Sequence, residues 1–277
     1  MIREKRIAII IEGADYERKI VKNIKRNFFA KDNKALYTII PLPMAGNIYI
    51  LWKELKNDPY LDIIELVRDR TPQAKKALEN LDRASFSEVF LFFDYDSHQN
   101  NLGATDDANE ILLGMFETFD NETENGKLYV SYPMAEAIRD LIIGSCYTYS
   151  GPCFYKRVGK EYKTYSGENN PLSHISSYTV NKWGDFINAY IGRLSCLSNS
   201  KSLLSIRECK ALSPIQIHQM QKNNADVSGL GIEVLSAFPK FLIDYFREDY
   251  LKDFLLPRSF NYPSCNSNEK ATRMLPE

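Results

Sequence analysis

The sequence is short of the residues that bind zinc or staple a secreted fold. Its 5 cysteines, Cys146, Cys153, Cys196, Cys209 and Cys265, are scattered and never form a C-x-x-C pair. This argues against a disulfide framework or a zinc knuckle and fits reduced thiols in a cytoplasm. Only 3 histidines occur in 277 residues, and neither His174 nor His218 has a ligand-spaced partner. Long apolar runs are also missing: after the charged lead MIREK the run at residues 7 to 11 is too short for a signal-peptide core or a bilayer span, so no membrane attachment is expected. Neither sign of charge dominates, with 35 Lys and Arg against 36 Asp and Glu and a net charge of -1. No global field then draws the chain onto polyanions, and any nucleic-acid contact must come from a local patch. No G-x-x-x-x-G-K-[ST] loop occurs, so ATP-driven sensing would belong to another chain.

What is present is alternation. Hydrophobic residues make up 44% and charged ones 26%, enough for one large domain or two modest ones. Residues 5 to 11 read as a strand, followed by a helix over about 15 to 29 with Ile20, Val21 and Ile24 on one face. A second short strand, 36 to 40, ends at Pro41 and Pro43, and Ile48, Leu51, Trp52 and Leu55 repeat with helical spacing. Residues 61 to 67 fit either a strand or a helix. The segment EVFLFF, 88 to 93, is strongly β, with a helix over about 105 to 119, a strand at 128 to 131 and a helix at 134 to 143 after it. The fold class is thus α/β, a mainly parallel sheet flanked by helices, over residues 1–146. From 147 to 277 the chain turns Gly-, Ser- and Tyr-rich and then helical, with helices near 183–197, 214–222 and 234–245. This gives an α-rich C-terminal region for substrate or partner binding. The last fifteen or so residues are polar and expected to fray.

Asp94 and Asp96 close the EVFLFF strand, so their carboxylates lie one pleat apart on one side of the chain at the C-terminal edge of the sheet. Ligands bind at that edge in open α/β sheets, and paired carboxylates call for a cation. Oxygen-only donors favour Mg2+ or Mn2+. Glu12 closes the first strand in the same way, with Gly13 behind it. The plain alternative is that all three acids end strands and cap helices.

A strand ending in Glu-Gly and, some eighty residues on, a strand ending in Asp-x-Asp resemble the Toprim domain of topoisomerases, primases and OLD-type nucleases. The likeness covers roughly residues 5 to 143. The segment SYPMAEAIRDL also resembles the S-x-P-x-x-E stretch of small phage-defence Toprim proteins. The resemblance implies that Glu12 acts as general acid or base or assists a metal, that Asp94 and Asp96 hold magnesium, and that Glu136 joins the site. A second acid follows the Glu-Gly in the OLD-type pattern, and Asp15 and Glu17 both fall near its place. Either also suits the positive end of a helix dipole.

Further candidates are weaker. His98 could carry a proton or touch a phosphate, or be an ordinary loop residue. Gly46 and Asn47 open a helix that could cradle a phosphate or form a plain turn. Lys156, Arg157, Lys160 and Lys163, interleaved with Tyr155, Tyr162 and Tyr165, suit a nucleic-acid backbone and its bases, or a solvated hairpin. The stretch VLSAFPKFLIDYF reads as core, or as an interface in a homo-oligomer.

The resemblance implies metal-dependent phosphodiester hydrolysis, by a nuclease acting on DNA or RNA as an antiviral effector, beside a possible ATPase partner chain. The alternative is a non-catalytic interaction protein whose Toprim-like scaffold docks that partner. A receiver-like or phosphatase domain would want a Lys ending a later strand, and none is evident after 128 to 131.

Overall fold

The structure is a computed structural model that describes residues 5–13, 15–29, 37–58, 60–95, 107–141, 154–155, 160–167, 170, 172–226, 231–253, 255 and 272–273. The chain packs as two compact units that interleave along the sequence. One holds residues 1–94, 99–129 and 175–177, the other 95–98, 130–174 and 178–277. Among the described residues no helix is long and apolar enough to cross a membrane.

The first unit is built on strand β1 (Lys5–Ile11), whose Ile7 to Ile11 are at most 1% exposed. A strand buried on both faces reads as an unbroken apolar run, because helices cover each side. Helix α1 (Tyr16–Ile24) follows and continues as a π-helical turn, Lys25–Phe29. Strand β2 (Tyr37–Pro43) runs parallel to β1, with Ile9 opposite Pro41 and Ile11 opposite Pro43. The strand thus continues through Pro41 and ends at Pro43. Pro is tolerated there because β2 is an edge, where a missing N–H breaks no ladder on the open side.

Helices α2 (Ile48–Asn57), α3 (Ile63–Arg68) and α4 (Pro72–Ala77) lead to strand β3 (Glu88–Asp94). Residues 63–68 are therefore helical, started by the Asp62 carboxylate, which accepts the Ile64 N–H. Helix α5 (Ala108–Thr118) precedes the two-residue strand β4 (Asp120–Asn121), and β5 (Gly126–Ser131) returns antiparallel to β4. The five-stranded sheet has the order β2-β1-β3-β5-β4, with β1 parallel to both neighbours. It is an α/β, mostly parallel arrangement flanked by helices.

The second unit contains the short α6 (Ala137–Asp140), β6 (Phe154–Tyr155) and α7 (Lys160–Gly167). Helix α8 (Val180–Leu197) is buried almost all round, through Trp183, Phe186, Ile187, Tyr190, Ile191 and Leu194. Against it pack α9 (Ile206–Ala211), α10 (Pro214–Asp226) and α11 (Ala237–Tyr245), and the unit also holds β7 (Ile232–Glu233), beside α10, and α12 (Glu248–Lys252). The region is α-rich, but it also holds a three-stranded sheet, β7-β6-β8, completed by β8 (Thr272–Arg273). Fraying of the whole tail is thereby corrected at Thr272 and Arg273, which pair parallel to β6. The apolar segment at 234–246 is core: Val234, Leu235, Phe238, Phe241, Leu242 and Ile243 are buried.

Candidate functional site

Glu12 sits where three chain segments meet. Its N–H donates to the Phe92 carbonyl at 3.3 Å, continuing the ladder between β1 and β3. Its own carbonyl accepts the Ala45 N–H at 3.1 Å, in the turn between β2 and α2. Its side chain reaches across β3: Oε2 accepts the Asp94 N–H at 3.1 Å. The two strand-end acids, 82 residues apart in sequence, are thus brought together at one edge of the sheet, and both are partly open to solvent. They converge because β1 and β3 are parallel neighbours in register, so their C-terminal ends coincide.

The turn behind Glu12 distinguishes Asp15 from Glu17. The Asp15 carboxylate is 83% exposed and lies 3.5 Å from Arg18. Glu17 is buried, and its Oε1 accepts the Gly13 N–H at 3.1 Å. A Cβ on residue 13 would stand 2.8 Å from Glu17 Oε2, so a glycine is what lets this carboxylate fold back onto the turn. Of the two acids, Glu17 is the one whose carboxylate folds back onto the turn behind Glu12. Its signal in the sequence was only its spacing, which Asp15 shared.

In the turn after β2, Ala45 rather than Gly46 takes the left-handed backbone, with φ 54°. Asn47 is buried, and its side-chain oxygen accepts the Ile50 N–H at 3.1 Å. That bond satisfies one of the first N–H groups of α2, so the segment acts as a capped turn. Nothing in the composition marks Ala45 for this conformation.

Glu136 belongs to the second unit. It is buried and lies 3.5 Å from Lys163 Nζ, while its carbonyl accepts the Ser166 hydroxyl at 3.3 Å. His218 is wholly buried, with Nδ1 3.1 Å from the Tyr132 hydroxyl, and His174 is exposed. Asp96, His98, Lys156 and Arg157 lie outside the described residues.

A divalent cation can be tested against these groups. Glu12 and Asp94 offer hard oxygen donors, the type that suits Mg2+ or Mn2+. Among the described residues no group of three or more acidic, histidine or cysteine side chains could hold a metal ion. The donor type fits, and among the described residues the donor number falls short.

The chain matches no protein-family model, no curated protein and no solved structure.

Proposed function

We propose that the protein is a metal-dependent phosphodiesterase of Toprim type that cleaves nucleic acid. The reading is carried by one observation: the Glu12 carboxylate accepts the Asp94 N–H at the shared C-terminal ends of neighbouring strands. Support also comes from the mostly parallel sheet, whose C-terminal edge is the general ligand-binding edge of open α/β folds.

In this reading Glu12, Asp94 and Asp96 would hold Mg2+ or Mn2+. An ion held there would supply Lewis-acid polarisation of a phosphodiester oxygen and a more acidic water. The hydrogen bond from Asp94 N–H fixes the direction of the Glu12 carboxylate. Glu17 stiffens the turn from the other side through the Gly13 N–H. Negative charge concentrated by two adjacent acids attracts a cation and repels an unmetallated phosphate, which makes activity strictly ion-dependent. Use against phage, beside an ATPase partner and in a homo-oligomer, extends the same reading.

The test incubates the full chain with plasmid and total RNA, with and without Mn2+, beside Glu12→Ala and Asp94→Asn. The expected result is ion-dependent cleavage that each substitution lowers by about a hundredfold or more. Cleavage unaffected by both substitutions would remove the assignment. A second reading, a non-catalytic scaffold, draws on the same bond, since Glu12 also stitches β1 to β3. It predicts no Mn2+ binding by calorimetry, in the wild type as in Asp94→Asn.

A further inference from the structure

Arg18, Lys19, Lys22, Lys25 and Arg26 recur at i, i+1, i+4, i+7 and i+8 along α1 and the π-helical turn that prolongs it. At about 100° per residue these positions share an arc of about 120°. The remaining arc is the buried one, with Glu17, Ile20, Val21, Asn23 and Ile24. Lys19, Lys22, Lys25 and Arg26 are exposed, and Arg18 is half-buried. The nearest exposed acid in sequence, Asp15, lies beyond one end of the stripe against Arg18. Among the described residues Lys19 and Lys22 have no acidic partner. Arg26 donates to the Ser176 carbonyl at 2.9 Å and Lys25 to the Ile39 carbonyl at 3.4 Å, so the far end is held against the unit's own backbone. In a chain of net charge -1, this face has segregated one sign.

We infer that this face of α1 is a docking surface for the phosphodiester backbone of duplex nucleic acid. The inference rests on the phosphodiesterase reading for its purpose, because it gives that site its substrate path. The stripe begins six residues beyond Glu12 and runs away from it for about 12 Å, at 1.5 Å per residue. A duplex carries one negative charge per about 1.7 Å of axis, and its binding is dominated by such cations. Single strands are held in addition by stacking on exposed aromatic rings. Phe28 and Phe29 are buried and Tyr16 is half-buried, so the stripe offers charge without stacking and suits a duplex.

The experiment uses the full chain in EDTA, with a labelled DNA duplex of about 30 base pairs and the matching single strand, read by fluorescence anisotropy across salt. The expected result is duplex binding that Lys19→Gln/Lys22→Gln weakens roughly tenfold or more at about 0.15 M salt. The slope of log K against log salt should become shallower by about 2. Lys19→Arg/Lys22→Arg should keep both affinity and slope, and both variants should melt with the wild type. No duplex binding by the wild type overturns the inference, as does equal binding by the Gln variant or a preference for the single strand. Because no metal is present, binding without cleavage in a separate Mn2+ assay keeps the stripe and removes the hydrolase. Cleavage with no effect of the Gln variant on binding does the reverse.

Discussion

At Gly126 the backbone takes φ 117°, and a Cβ there would stand 2.6 Å from Leu91 Cδ1 and 3.3 Å from Val89 Cγ1. Strand β5 therefore starts on a residue that must lack a side chain for both conformation and space. Gly126→Ala is expected to cost about 2–4 kcal/mol in urea unfolding, from left-handed strain plus overpacking against β3. A loss below about 0.5 kcal/mol would show that the contact relaxes. At the same scale the site was half legible. Glu12 and Asp94 stood out because each ends an apolar β run, a pattern visible in linear order. Glu17 did not, because its role depends on a carboxylate folding back on Gly13, which spacing alone shares with Asp15. The α1 stripe was legible in principle, from its helical spacing, and was obscured by the denser basic segment at 156 to 163.

Polar side chains reinforce the joint between α6 and α7, beside the apolar contact of Ala137 and Tyr162. Asp140 is buried; its Oδ2 accepts the Tyr162 hydroxyl at 2.7 Å and its Oδ1 the Asn170 amide at 3.2 Å. Burial pushes its pKa above the usual aspartate range, against the pull of Tyr162, Ser166, Arg193 and Arg139. A raised folded value means the neutral acid is favoured in the folded state. Its contribution is full below the unfolded value and is lost as pH rises through the folded one. The stability of the wild type relative to Asp140→Asn should therefore fall as pH is raised from about 3 to about 7. Urea midpoints measured across that range check this, and a constant difference would contradict it. Among the elements, long periodic ones such as β1, β3, α2 and α8 were legible, since many residues vote for one period. Strand β4, strand β7 and helix α4 were not: two to six residues carry no period, and the partner strand or cap decides them.

At the scale of the whole chain, a buried ion pair joins residues 40 positions apart with no mark of it in the sequence. Arg193, 1% exposed in the last third of α8, donates to Glu233 Oε1 at 2.9 Å, to the Leu141 carbonyl at 3.0 Å and to the Asp140 carbonyl at 2.7 Å. Gln221 brackets the Glu233 backbone with bonds of 2.8 and 2.9 Å. Arg193→Met would strand a buried carboxylate and is expected to lower stability by about 3–5 kcal/mol, with part recovered by adding Glu233→Gln. Chemical denaturation of the single and double variants measures both; an unchanged single variant would mean that water reaches Glu233.

The sequence by itself determined the α/β alternation, the buried β1 and β3, and the two acids that end them, because hydrophobic period and strand ends are local properties written in consecutive residues. Only the tertiary structure decided that those acids share one edge, that Pro41 and Pro43 lie within an edge strand, that Glu17 turns inward and that Arg193 finds Glu233. Each of these depends on which strands become neighbours and which side chains are shut away from water, and burial makes a distant partner obligatory without leaving any mark in the local order of residues.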